Sequence, residues 1–208
     1  PICVNLAGIL CQALGLPVVL DTDVNAAVMA EARWGAGQGL HSLVYYTIGT
    51  GIGGGAIVDG ALLHGALHTE MGHTRIPRHP SDSFAGVCPF HGDCLEGLAT
   101  GPAIAARWGV PAEQLPEDHP AWELEAFYLA QMLHNTVCLL VPQRVILGGG
   151  VMSQAFLLPR VRAKLLESLG GYMQLPQILE HIDDYIVASE LEGKAGLYGA
   201  LALALKHE

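Results

Sequence analysis

Basic side chains are scarce in this sequence, with 10 Lys and Arg against 20 Asp and Glu for a formal net charge of −10. Phosphate backbones are bound by clustered Lys and Arg, so this balance, with no basic stripe, argues against nucleic acid as a partner. It also implies that any phosphate bound here is held by backbone N–H groups and metal. Apolar runs of about eighteen residues are missing, and no basic-then-apolar leader opens the chain, so neither a membrane span nor a signal peptide is expected. The cytoplasm is the default compartment. Cysteine is limited to 5 residues, an odd number that fits a reducing compartment better than a disulfide framework. Cys3, Cys11 and Cys138 fall in apolar helical stretches and read as small buried hydrophobes. G-x-x-x-x-G-K-[ST] does not occur, which excludes a Walker-type phosphate loop.

What is present is an alternation of helix and strand. Helical apolar spacing in "VNLAGILCQALG" ends at Gly15 and is followed by "LPVVLD", which reads as a short buried strand. "DVNAAVMAEARWG" resumes a helix up to Gly35, and "SLVYYTIG" is a strand rich in β-branched and aromatic residues. "GAIVDGALLHG" predicts a hairpin around Asp59-Gly60. A polar loop over 77–87 precedes a helix at 121–140, a strand in "RVILGGG", a helix at 153–169, and a closing strand, loop and helix. The class is α/β, with one lobe expected before about Gly35 and another after it.

Three stretches carry candidate chemistry. "TIGTGIGGG" contains G-x-G-x-x-G at Gly49, Gly51 and Gly54, yet a hairpin follows where a dinucleotide site needs a helix. The reading is a strand–turn–strand whose backbone N–H groups and Thr50 hydroxyl approach an anion closely. In "LGGGVMS", Gly148, Gly149 and Gly150 feed a helix expected near Ser153, a plausible nucleotide edge. In "LDTDVNAA", Asp23 stands at a strand-to-helix junction, either as an N-cap or as a carboxylate facing a cleft, where it could take a proton from an attacking hydroxyl; Asp21 or Thr22 could cap equally well.

"CPFHGDC" places Cys88, His91 and Cys94 at the spacing of a structural zinc site that needs a fourth ligand from elsewhere. His64, His68, His73 and His79 are all candidates, and spacing does not choose among them. Glu70 and Glu96 flank the cluster as possible acceptors for sugar hydroxyls.

In this order, "DTDVNAA", "TIGTGIGGG", "TEMGH", "CPFHGDCLEGLATGP" and "LGGGVM" resemble the ROK family of sugar kinases and repressors, and within it the fructokinase branch. The resemblance covers nearly the whole chain. It implies an actin-like ATPase (ribonuclease H-like) fold, with residues 1–36 the remainder of a small N-terminal lobe. Residues 37–208 would be the large lobe with a zinc-binding loop, its last helix closing back toward the first lobe. It implies Asp23 as catalytic base, and Thr22, Glu70, His73 and Glu96 at the sugar. Gly49, Thr50, Gly51, Gly53, Pro102 and Gly148 to Gly150 would lie at the nucleotide. The same resemblance selects His73 as the fourth zinc ligand with Cys88, His91 and Cys94. It further implies ATP, Mg²⁺ and a structural Zn²⁺ as cofactors, small-molecule partners only, and a homodimer. The family's N-terminal D-x-G-G-T-type phosphate motif does not occur, and the chain opens on Pro1, so a truncated kinase is expected. The activity implied is phosphorylation of fructose; a kinase of mannose or glucose, and the non-catalytic sugar-sensing domain of a repressor, are the alternatives.

Overall fold

The computed structural model describes residues 4–191 and 193–206. Five strands form one mixed sheet in the order β3-β2-β1-β4-β5: β1 (Leu43–Ile48), β2 (Ile52–Val58), β3 (Ala61–Leu62), β4 (Arg144–Gly148) and β5 (Ile186–Ala188). β1 runs antiparallel to β2 and parallel to β4, and β4 is parallel to β5. The hairpin between β2 and β3 turns at Asp59 (φ 50°) and Gly60 (φ 79°), the pair of positive dihedrals that suits a two-residue turn between twisted strands.

Helices cover both faces of the sheet, which is why β1 is buried almost throughout instead of alternating. Val44, Tyr46, Ile48, Val145 and Leu147 point into the larger core, with α5 (Ala121–Leu140) and α6 (Leu157–Leu169). Leu43, Tyr45, Ile57 and Ile146 point the other way, onto α2 (Asp23–Trp34). α2 then packs on α9 (Ala195–Lys206). A Cβ on Gly199 would lie 2.7 Å from the Ala26 Cβ, so these two helices approach through small residues.

α2 packs on the sheet, with Ala27 and Val28 buried beside Leu43 and Ile57. Several expectations change. "LPVVLD" forms no strand: residues 16–20 are largely exposed, and no described strand lies beside them to accept a ladder. The helix α1 (Leu6–Leu14) buries none of its residues. The helix expected from 153 begins at Leu157, because Gly150–Ser153 turn as a 3-10 segment. Cys138 is exposed and Cys11 only half-buried, since apolar spacing alone does not say which helix face meets the core. Cys3 lies outside the described residues.

Candidate functional site

Two short helices connect the sheet to the cysteine loop. A 3-10 turn at Met71–His73 sits on β2, so close that a Cβ on Gly72 would lie 1.8 Å from the Ile52 carbonyl oxygen. The loop itself is closed by reciprocal backbone hydrogen bonds between Cys88 and Gly92, at 3.2 and 2.9 Å. Asp93 fixes its far side by pairing with Arg75 and with Arg78 (2.9 Å). α3 (Leu95–Leu98) begins directly after Cys94.

This framework brings His73, Cys88, His91 and Cys94 together, with one donor atom from each within 4.8 Å of the others. His73 Nδ1 stands 3.8 Å from Cys88 Sγ and 3.6 Å from Cys94 Sγ, and His91 Nδ1 stands 3.7 Å from Cys88 Sγ. Ligands about 2.0–2.3 Å from a tetrahedral ion are separated from one another by roughly these distances, so the donor set fits a metal of the zinc type. Of the four histidines that spacing left open, only His73 joins this group. Its other nitrogen, Nε2, faces Glu96 Oε1 at 3.9 Å, close to but outside hydrogen-bond distance.

Glu96 also reaches the glycine turn, where its Oε2 accepts the Ile52 N–H at 3.1 Å. The turn joins β1 to β2 through Gly49, Thr50 and Gly51, with Ile48 paired to Ile52. Across from it, Thr100 caps α4 (Gly101–Trp108), and the Gly101 N–H donates to the Gly49 carbonyl at 2.9 Å. Between these elements lies a cleft of about 290 Å³ lined by Gly49, Thr50, Pro102, Gly150, Ser153 and Gln154, among others.

The remaining glycines have other work. Gly53 and Gly55 face α2, where a Cβ would lie 2.8 Å from Val24 Cγ1 and 2.5 Å from the Val24 carbonyl oxygen respectively. Gly54 faces Met71 and Tyr46. Gly53, expected at the nucleotide, therefore lies against a helix. Gly148 is backed by the Tyr45 hydroxyl, and Gly149 (φ 94°) folds onto Ile48, leaving Gly150 as the glycine of that run with open space before it. Gly51 does not line the cleft but abuts Glu96, a Cβ there lying 2.8 Å from Oε2.

The helix cap of α2 is Thr22, whose hydroxyl accepts from the Asn25 N–H at 3.2 Å. Asp23 is the first helical residue and exposed; its carboxylate takes only the Val24 N–H, at 2.9 Å. Capping leaves it free. Thr22 and Asp23 line a separate groove of about 570 Å³, with Asp21, Ala26, Gly196 and Ala200. That groove and the turn meet on one strand: Val24 touches Gly53 and Gly55, while Ile52 holds Glu96. Glu70 is exposed and accepts from His68 Nε2 at 2.9 Å.

Sequence reasoning missed three buried polar groupings. Asp21 accepts from the Thr22 N–H (2.8 Å) and Asn25 Nδ2 (2.7 Å), with His64 Nε2 at 3.0 Å. Partial burial pushes its carboxyl up, but those partners outweigh it and hold the group below its usual range. Glu31, fully buried, accepts from the Ser189 hydroxyl (2.5 Å), the Leu191 N–H (3.1 Å) and the Ala36 N–H (2.8 Å), tying α2 to the segment after β5. Asp82 accepts from the Tyr128 hydroxyl at 2.5 Å and from Arg107 at 3.2 Å, anchoring the loop that leads into Cys88. Asp21 is flagged locally by Thr22 and Asn25, but His64 reaches it from 43 residues away, and the Glu31–Ser189 and Asp82–Tyr128 pairs lie 158 and 46 residues apart, so these partners are brought together only by the fold. The largest cavity described, about 710 Å³, lies beside this last group, away from the glycine turn and Asp23.

Comparison with known proteins gives a consistent picture. A family model described as "ROK family" matches residues 3–207. The chain is 48% identical over 189 residues to a putative fructokinase of Bacillus subtilis, covering 91% of this chain and 63% of that protein. It is 44% identical over 178 residues to a fructokinase of Lactococcus lactis subsp. cremoris, covering 85% and 60%. This chain thus spans less than two thirds of the length of these relatives. Among solved structures, the ROK hexokinase of Thermus thermophilus superposes with a TM-score of 0.78 at 29% identity, over 97% of this chain and 72% of that one. A ROK family glucokinase of Streptomyces griseus, in complex with glucose and AMPPNP, gives 0.74 at 28%, over 97% and 72%.

Proposed function

Since this chain belongs to the ROK family and has its actin-like α/β fold, we propose that it is the sugar- and nucleotide-binding part of an ATP-dependent hexose kinase, with fructose as acceptor. The observation that carries this is the junction at β2. One strand bears the four-donor cluster and Glu96 at its first residue and the entry to α2, with Asp23, at the next.

In this reading Asp23 accepts the proton of the hexose hydroxyl as that oxygen attacks the γ-phosphorus of ATP. A new O–P bond forms, and the bond between γ-phosphorus and the β–γ bridging oxygen breaks to release ADP. Such a transfer asks little covalent chemistry of the protein, so alignment supplies most of the rate. Thr22, Glu70, His73 and Glu96 orient the sugar by accepting from or donating to its hydroxyls. Thr50 and the backbone of the turn receive phosphate, and Pro102 and Gly150 border the rest of the nucleotide, which arrives as its Mg²⁺ complex. His73, Cys88, His91 and Cys94 would hold Zn²⁺, whose part there would be to fix the loop rather than to supply chemistry.

Fructose is preferred over other hexoses on the strength of the relatives' names, and the cytoplasm, a dimeric state and the absence of nucleic acid are part of the same proposal. Residues 4–20, largely exposed, are assigned to the first lobe, and α2, which packs on the sheet, to the second. The test is ADP release from Mg²⁺–ATP with fructose, mannose and glucose in parallel. Fructose-dependent turnover supports the reading; sugar binding without turnover in a protein that also carries the family's first-lobe phosphate motif favours a sensing domain.

A further inference from the structure

α3 is only four residues long, yet it touches three parts of the site. It starts at Cys94, whose thiol belongs to the four-donor cluster. The Glu96 carboxylate lies between His73 Nε2 at 3.9 Å and the Ile52 N–H at 3.1 Å. The Glu96 backbone carbonyl accepts the Thr100 hydroxyl at 3.0 Å, and that same hydroxyl caps α4. Gly51 has no side chain, and a Cβ there would stand 2.8 Å from Glu96 Oε2, so the turn and the carboxylate are in close contact. The turn is fastened in its place by few other groups: Gly49 N–H to the Gly51 carbonyl, and Gly101 N–H to the Gly49 carbonyl.

We propose that Glu96 is a positioning residue that transmits occupancy of the His73/Cys88/His91/Cys94 cluster to both walls of the glycine cleft, so that metal binding and nucleotide binding are coupled. This rests on the reading of that cleft as the nucleotide site. The physical basis is that a bound ion fixes both the ring of His73 and the start of α3 at Cys94: the Glu96 carboxylate, 3.9 Å from that ring, holds the Ile52 N–H, and the Glu96 backbone carbonyl, two residues after Cys94, holds the Thr100 hydroxyl. Without the ion, His73 and Cys94 lose their common anchor, and the turn is left with its Gly49–Gly51 bond, the Gly101 N–H and the Ile48–Ile52 pairing. Coupling of this kind is reciprocal by linkage, so nucleotide must tighten metal by the factor that metal tightens nucleotide.

Three measurements on the protein loaded with zinc test it, all without sugar so that any contact of Glu96 with substrate is not read. Chelation is expected to speed amide hydrogen exchange at Ile52 while Val145 to Leu147 in β4 stay protected, and to weaken AMPPNP about tenfold, within the usual range of coupling between sites. AMPPNP is expected to strengthen zinc by a matching factor, read by competition with a chromophoric chelator. Glu96→Ala is expected, with zinc still bound, to show the fast Ile52 exchange and the weak AMPPNP affinity already, and to lose the metal dependence of both. Glu96→Gln keeps an acceptor for Ile52 and is expected to restore them. Exchange at Ile52 that ignores zinc, or a metal dependence that survives Glu96→Ala, overturns the coupling. Failure of AMPPNP to bind the zinc-loaded protein at all overturns the nucleotide reading, while the exchange measurement still decides whether Glu96 carries the signal.

Discussion

His64, from the loop after β3, reaches the residue two positions before the proposed base, its Nε2 lying 3.0 Å from Asp21 Oδ2. Asp21 is held at the same time by Asn25 and by the Thr22 N–H, so the turn that presents Thr22 and Asp23 is tied to a second loop.

His64→Ala is expected to weaken sugar affinity several-fold with a small loss of stability, since the histidine is nearly half exposed and such pairs contribute about 0–1 kcal/mol. Asp21 has its carboxyl depressed by folding. Its contribution is therefore complete above the unfolded pKa of about 3.9 and fades as pH falls through the lower folded value. The stability gap between wild type and Asp21→Asn, which cannot ionise, should thus close in acid. Thermal melts of that pair from pH 7 down to about pH 2 check this; a gap that widens in acid contradicts it.

Asp23→Asn should abolish phosphorylation, by a factor of about 10²–10⁴ if the carboxylate acts only as general base, and leave fructose binding largely intact. The side chain accepts only the Val24 N–H within the protein, and an asparagine can do the same, so folding is not at stake. Turnover equal to wild type, in the preparation that phosphorylates fructose, rejects the assignment.

Removal of the metal by chelation, or Cys88→Ser, should lower the melting temperature and the fructose affinity together. Ligand binding to the native state is folding free energy, and the loop that the metal closes also carries Glu96. Calorimetric melting with and without zinc, alongside sugar titration, measures both. A melting temperature unchanged after verified metal loss counts against a structural role.

Gly55→Ala should destabilise by roughly 1–3 kcal/mol, the usual range for overpacking, because the new methyl would stand 2.5 Å from the Val24 carbonyl oxygen. Gly150→Ala, at a glycine with open space around it, should spare stability and instead weaken nucleotide binding. Denaturant melts of the two variants separate glycines that serve packing from one that serves the cleft.

Glu125 is buried in α5, and burial lifts its carboxyl to about 8 against the pull of Arg107. The unfolded chain releases that proton near pH 4.3, so the folded state binds more protons between the two values, and stability is lost as pH rises through this interval. Glu125→Gln cannot ionise and should therefore gain on wild type steadily from pH 5 to pH 8. Parallel melting curves across that range would show that the carboxyl is not held neutral by the fold.

The sequence by itself determined the class of the fold, the hairpin at Asp59-Gly60, and three of the four cluster donors, because each depends on spacing along the chain: period, turn dihedrals and short-range ligand geometry. Identification of the fourth donor came from resemblance, and the fold brings His73 to the other three by seating Gly72 on the Ile52 carbonyl. Tertiary structure alone decided which glycines border the cleft and which face Val24 or Met71, since a missing Cβ reads the same in either case. It also decided that residues 16–20 stay unpaired, that Thr22 rather than Asp23 caps α2, and that Glu96 stands between His73 and Ile52. Each of these turns on what lies opposite a residue in space, and a strand, a cap or a strut has no identity until its partner is in place.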